Sequence, residues 1–411
     1  LTGRYGERVV NPSTALYGTL FNDQGQVTED RALNLTLRNQ RQISDDLGVE
    51  MRLEYAEQAY RADYPYADDA GNRYINRDDS LGRWWSGEVR LLYTGLANHK
   101  LVAGVEAKHD VLTRQRNFDV GVTIDEPLDV DSPRHRVGVY VQDEWRFADH
   151  WRLNAGLRHD AYSDGQATTN PRLGLIWLAS EQTTFKLLAG RAYRAPNAYE
   201  RDYACCGTYL GNADLSPETI RTVEAIWEQR LAQNQTLRVS AFDYRVRDLI
   251  GQVETADGQL QYQNQAEITA RGLETSWRAN WQSGAQLVAS LAYSHTEDAN
   301  GERPGYSPRW LAKLRGSVPL PNPGQRWLLA VEARAQSATD YVWNDSQRHL
   351  PLRLVVDATL TSARLTPGLD AFLRVRNVFD RRFDHPGTSE TAMAAIPGDR
   401  RTWEIGVSYA F

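Results

Sequence analysis

Between residues 194 and 217 the chain gathers side chains suited to gripping a ligand: Arg194, Tyr199, Arg201, Tyr203 and Tyr209, with the adjacent pair Cys205-Cys206. Guanidinium groups attract anions, and phenol rings stack on flat or cationic groups, so the chemistry on offer is non-covalent recognition of an anionic or aromatic molecule such as a ferric siderophore. The same residues also build ordinary loops, with Arg194 and Glu200 in a structural hydrogen-bond network. Tyr341, Trp343, Asn344 and Asp345 form a second aromatic and polar patch with the same two readings. The cysteine pair either closes a vicinal disulfide in an oxidising exterior or binds a soft metal. With only two methionines in the chain and no histidine from Arg194 to Glu218, soft-metal transport and axial haem ligation both lack partners there; His295, His349 and His385 fall near other loops. Asp68, Asp69, Asn72, Asp78 and Asp79 crowd one stretch, offering oxygen ligands to a hard cation, but their spacing is not that of an EF-hand and a solvated loop is the plainer reading. No metal site and no cofactor is expected.

Catalysis finds no support. The chain has no Gly-x-Ser-x-Gly, no His-Glu-x-x-His and no phosphate-cradling glycine loop. His159-Asp160 is a bare neighbour pair, and no clustered nucleophile and base accompanies it.

The elements that must carry these loops are strands. The chain has 411 residues, 41% hydrophobic, with a mean hydropathy of −0.58 and a net charge of −6. That balance is too apolar for a disordered chain and too acidic to favour nucleic acid. No run approaches the ~18 apolar residues of a membrane-spanning helix. Instead, period-two alternation recurs. Trp403, Ile405, Val407, Tyr409 and Phe411 share one face, and Thr402, Glu404, Gly406, Ser408 and Ala410 the other. Val137, Val139 and Val141 against Gly138, Tyr140 and Gln142 repeat the pattern.

Alternation alone fits a soluble sandwich as well. The connections decide: short ones at Gly95–Asn98, Ala148–Asp149, Ala232–Asn234 and Thr366–Gly368 alternate with long polar ones at about 58–82, 111–134, 194–217, 250–265, 296–307, 338–351 and 380–399. Short turns at one end and long loops at the other describe an antiparallel up-and-down transmembrane β-barrel with its long loops outside the cell. Trp84, Trp85, Trp145, Trp151, Trp177, Trp281, Trp310 and Trp327 sit near strand ends, where a membrane boundary favours rings. About 18 strands are counted, the first at 13–20, with 1–12 as a lead-in and 13–411 as barrel.

Several segments resemble the barrel of TonB-dependent outer-membrane receptors: Arg194-Ala195-Pro196-Asn197 with Glu200; Asn212-Ala213-Asp214-Leu215-Ser216-Pro217-Glu218, where Ala213 replaces the family's proline; Asn264-Gln265-Ala266 followed by Arg271-Gly272-Leu273-Glu274; and Asn377-Val378-Phe379-Asp380, then Pro397-Gly398 and the terminal Ser408-Tyr409-Ala410-Phe411. The resemblance implies 22 strands around an N-terminal plug, so about four strands and the plug lie outside this chain. It implies a partnership with the TonB–ExbB–ExbD complex through that outside region, contact with lipopolysaccharide, and delivery by the barrel-assembly machinery, which reads the alternating aromatic terminus. It implies active uptake of a scarce nutrient, a ferric siderophore first, with cobalamin or haem as alternatives. A passive diffusion porin is the rival from another class.

Overall fold

The computed structural model describes residues 1–12, 15–121, 127–321, 326–366, 368–388 and 390–410. One sheet of 20 strands dominates it, and two of these, Leu128–Asp131 and Tyr209–Leu210, are short additions above the rest. The remaining eighteen form the wall in chain order, each antiparallel to the next, from Thr2–Val10 through Val27–Ser44, Leu47–Ala67, Arg73–Tyr93 and His99–Asp119 to Leu369–Arg376 and Thr402–Tyr409. Among the described residues, Thr2–Val10 pairs only with the second strand and Thr402–Tyr409 only with Leu369–Arg376.

The outer face is apolar. Val137, Val139 and Val141 are 46–51% exposed, and Trp85, Val89, Leu91 and Tyr93 follow the same parity on Arg73–Tyr93. In water each such side chain would forgo about 1.5–3 kcal/mol of burial, so a surface made of them belongs against lipid. Near the short-turn end, Trp145 packs on Phe147, Trp151 stacks on Trp177 at 5.4 Å, and Trp177 stacks on Phe185, giving one arc of a boundary girdle. Trp85 against Tyr55 marks the opposite boundary. Trp84, expected in the girdle, turns inward, with Lys108 Nζ 4.6 Å from its ring centre.

The inner face is a ladder of ion pairs across strands. Glu50 accepts from Arg38, Gln40 and Arg90, Glu106 bridges Arg136 and Arg158, and Tyr140 donates to Glu88 at 2.6 Å. Gly272 faces Phe242 across its ladder and Gly406 faces Phe372. Any side chain at either glycine would collide with the ring laid over it, so the glycine gives the neighbouring aromatic its place on the sheet.

The structure corrects two expectations. The first strand lies at Thr2–Val10, inside the stretch read as a lead-in, and where the first strand was expected, the described residues 15–20 make a turn at Leu16–Gly18, with Tyr17 at a positive φ of 58°. The stretches read as long loops at 58–82 and 250–265 are strand extensions closed by tight turns at 68–72 and 255–259. Beyond the lipid there is no need for one greasy face, so alternation fades while strand pairing continues. Phe411 lies outside the described residues.

Candidate functional site

The extensions place the site. On Leu47–Ala67, Tyr60, Tyr64 and Tyr66 share one parity and therefore one face. Tyr74, Asn76, Asp78 and Ser80 share the inward face of Arg73–Tyr93. The ladder to His99–Asp119 then shifts by one residue, because Trp84 pairs with Asp110 while Arg83 pairs with Leu112, leaving Val111 opposite nothing. This bulge reverses parity, so Gln115, Asn117 and Asp119 turn inward beside them. Asn76 Nδ2 donates to Asn117 Oδ1 and to Asp119 Oδ1, both at 2.8 Å, and Asn117 Nδ2 donates to the Tyr203 hydroxyl at 3.1 Å.

Tyr203 comes from the connection 195–217, which closes over the extensions. Its short helix Ala198–Asp202 starts with a capping box: Asn197 accepts from Glu200 N, and Glu200 accepts from Asn197 N, each at 2.9 Å. The helix presents Tyr199 and Tyr203 on neighbouring turns, their ring centres 4.5 Å apart, and Tyr209 meets Tyr203 edge-on at 5.9 Å. Leu260 N to Thr208 O and Gln261 Nε2 to Gly211 O pin the connection to the next hairpin, whose Tyr262 packs against Tyr199.

Together these residues enclose a cavity of about 930 Å³ at the long-connection end, completed by Tyr17, Gln252 and Glu390. Burial pushes the Tyr199 and Tyr203 phenols up, so they stay neutral hydroxyl donors. Asp78 lies above the Trp85 boundary; burial pushes its carboxyl up to about 6, with Asp79 adding repulsion. Cys205 and Cys206 are joined as a vicinal disulfide, and Cys206 contributes to the cavity wall. A cavity of this size, aromatic with a few convergent polar groups, suits an organic ligand or chelate.

The model of the family described as TonB dependent receptor-like, beta-barrel, matches residues 2–378. This chain belongs to the TonB-dependent receptors. Among curated relatives, the metal-pseudopaline receptor CntO of Pseudomonas aeruginosa is 23% identical over 399 residues, covering 85% of this chain and 52% of that protein. The iron-regulated outer membrane virulence protein of Vibrio cholerae is 24% identical over 231 residues, covering 52% and 34%. The chain thus spans about half or less of the length of the curated relatives it matches. The fold of the pyoverdine outer membrane receptor FpvA from P. aeruginosa PAO1 superposes with a TM-score of 0.80 at 13% identity, covering all of this chain and 68% of that one. The ferric yersiniabactin uptake receptor FyuA of Yersinia pestis gives 0.77 at 15%, covering 94% and 62%. The protein is an outer-membrane receptor barrel.

Within this TonB-dependent receptor barrel the family-like motifs meet as a brace. Arg194 Nε and Nη2 bind both oxygens of Glu218 at 2.7 and 2.8 Å, its Nη1 binds Glu200 at 2.9 Å, and Glu218 also accepts from Ile250 N. Asn264 holds Ser216 through both backbone groups. Asn377, at a positive φ of 49°, ties Arg381 and Asp399 while Asp380 binds Arg400.

Of the expected site residues, Tyr199, Tyr203 and Tyr209 come together at the cavity. Arg194 is engaged in the brace, and Arg201 binds Asp164 at 2.7 Å on the far side of the helix, away from the tyrosines. Tyr341 donates to Ala394 O at 2.7 Å and Trp343 to Thr391 O at 3.2 Å, fastening the hairpin Thr339–Leu350 to the segment before the last strand. Asp68 binds the backbone of its own turn, while Asp78 and Asp79 stand on a strand, and among the described residues no three metal-ligating side chains converge. His159 bonds Thr169 and Asp160 bonds Arg158, on opposite faces of one strand. Sequence reading missed Tyr60, Tyr64, Tyr66, Tyr74, Asn117 and Tyr262; the shared parity of Tyr60, Tyr64 and Tyr66 was the available signal.

Proposed function

We propose that this barrel captures a metal chelate, a ferric siderophore in the first instance, at its outer tyrosine cavity. The chelate then passes to the periplasm through the lumen. The energy would come from TonB–ExbB–ExbD acting on a plug carried outside this chain, and the barrel would reach the outer membrane through the assembly machinery. That machinery would read the last strand's outward row of Trp403, Ile405, Val407 and Tyr409 with Phe411, and lipopolysaccharide would surround the finished wall. The observation that carries the reading is the convergence on one cavity of tyrosines from the connection 195–217, from two separate hairpins and from the turn at Leu16–Gly18. Rings lose little conformational entropy on binding and offer broad contact area, which suits capture of a bulky, rigid ligand at low concentration.

A strain lacking the gene, fed single iron chelates, tests it. The expected result is loss of growth on one class of ferric chelate, restored by the wild-type gene and not by a Tyr199→Ala/Tyr203→Ala copy. Unchanged growth on every iron, haem and cobalamin source, with small-solute permeability lost instead, would make it a porin.

A further inference from the structure

We propose that the captured chelate presents a positively charged group, an ammonium or a guanidinium, to the acidic lining of the tyrosine cavity, where Asp78, Asp119 and Glu390 stand; the inference rests on the receptor reading above and narrows its ligand class. The sequence, with Arg194 and Arg201 near Tyr199, Tyr203 and Tyr209, offered an anionic or aromatic ligand. The structure separates the arginines from the tyrosines. Among the described residues the cavity is lined by Asp78, Asp79, Asp119 and Glu390 and by no lysine, arginine or histidine. Asp79 is balanced on the other face of its strand by Arg116, whose Nε and Nη2 bind its two oxygens at 2.8 and 2.7 Å. Arg194 and Arg201 are held by Glu218, Glu200 and Asp164.

What remains is three carboxylates facing a space walled by nine tyrosines, whose ring faces carry negative potential and attract cations. Asp119 receives only a neutral amide, from Asn76, and Asp78 is met by the neutral Asn117 and Tyr203. An anionic chelate entering here would meet like charge with no compensating cation, in a half-enclosed space where solvent screens poorly. Gln115 adds an independent sign that the cavity is made to be filled. It is 7% exposed, lines the cavity, and its Nε2 amide has no hydrogen-bond partner. A buried donor without an acceptor is costly, and a carbonyl or hydroxamate oxygen of the ligand would supply one.

The test uses the receptor as its cell makes it, purified from outer membranes in detergent. Ferric trihydroxamate, tricatecholate and aminopolycarboxylate chelates are each prepared with one arm ending in a free ammonium, an N-acetyl group or an N-succinyl group, and titrated by quenching of intrinsic fluorescence. In whichever chelate class binds, the ammonium form is expected to bind at least about tenfold more tightly than the succinyl form. The Asp78→Asn/Asp119→Asn double variant should bring that ratio to within about twofold. Glu390→Gln, on an exposed segment, gives a partial loss of the ratio and guards against misfolding of the double variant. An N-acetyl or N-succinyl form binding as tightly as the ammonium form overturns the proposal. Absence of binding by every chelate, or binding that Tyr203→Ala leaves unchanged, overturns the receptor reading of the cavity and the proposal with it.

Discussion

Two aromatic patches on the outer connections look interchangeable as sequence and differ as structure. In one, Tyr199, Tyr203 and Tyr209 turn their rings to an open cavity. In the other, the Tyr341 hydroxyl and the Trp343 indole each donate to a backbone carbonyl of the segment before the last strand. Tyr341 and Trp343, their polar tips satisfied by backbone, are fasteners. Tyr203, whose hydroxyl meets only the side chains of Asn117 and Asp78 beside a void, is placed to meet a ligand. The same distinction sorts the arginines: Arg194 braces two motifs, and neither it nor Arg201 reaches the cavity.

The largest expected contrast is in affinity. Tyr203→Ala removes a ring from the cavity wall and should weaken chelate binding by about 30-fold or more, whereas Tyr341→Ala should change it by less than about twofold. Equal losses, measured by the same fluorescence titration, would dissolve the comparison. Next comes the brace. Arg194→Ala leaves Glu200 and Glu218 facing each other without a cation. With the arginine side chain 44% exposed, solvent screening tempers the cost, and we expect local opening of the connection 195–217, read as about tenfold faster proteolysis there, with the wall strands intact. Unchanged cleavage would make the brace ornamental.

A smaller effect depends on pH. Burial raises the Asp78 carboxyl to about 6, so it is protonated at pH 5 and ionised at pH 7.5. The charged neighbours of this position are Asp79, which carries the opposing Arg116, and the more distant Asp119, with Asn117 and Tyr203 in contact. Binding of an ammonium-bearing chelate should therefore strengthen about three- to tenfold across that rise, and Asp78→Asn should flatten the profile. For stability the sign is reversed. The folded state holds this proton more tightly than the unfolded one, so Asp78 favours folding most at low pH and progressively less as pH climbs from the ordinary carboxyl range to about 6. The least effect is expected from Trp343→Phe, which removes one hydrogen bond to Thr391 at the fastener and should leave chelate affinity within about twofold, checked in the same assay.

The wall was legible because lipid demands a strict pattern: alternate residues such as Val137, Val139 and Val141 must be apolar, and their parity shows in any reading of the chain. Above the lipid that demand lapses. Tyr60, Tyr64 and Tyr66 kept their parity but lay in a stretch polar enough to pass for loop. Asn117 and Asp119 could not have been placed, because the unpaired Val111 reverses which parity faces inward, and a bulge leaves no composition signal. For Arg194 and Arg201 the sequence left two readings open for a related reason. A guanidinium attracts a distant carboxylate on its own chain as readily as an anionic ligand, and Glu218 and Asp164 are close only after folding. The strand at Thr2–Val10 was passed over because Gly3 and Glu7 share the outer face with Tyr5 and Val9 and break its apolar row.

The most direct test of the account is a crystal of the receptor soaked with the chelate that supports growth, with the iron located by its anomalous scattering. The iron should appear among Tyr60, Tyr199, Tyr203 and Tyr262, inside the outer cavity. An iron peak at the hairpin Thr339–Leu350, or lower in the lumen beside the Glu106–Arg136 ladder with the tyrosine cavity unoccupied, would contradict it.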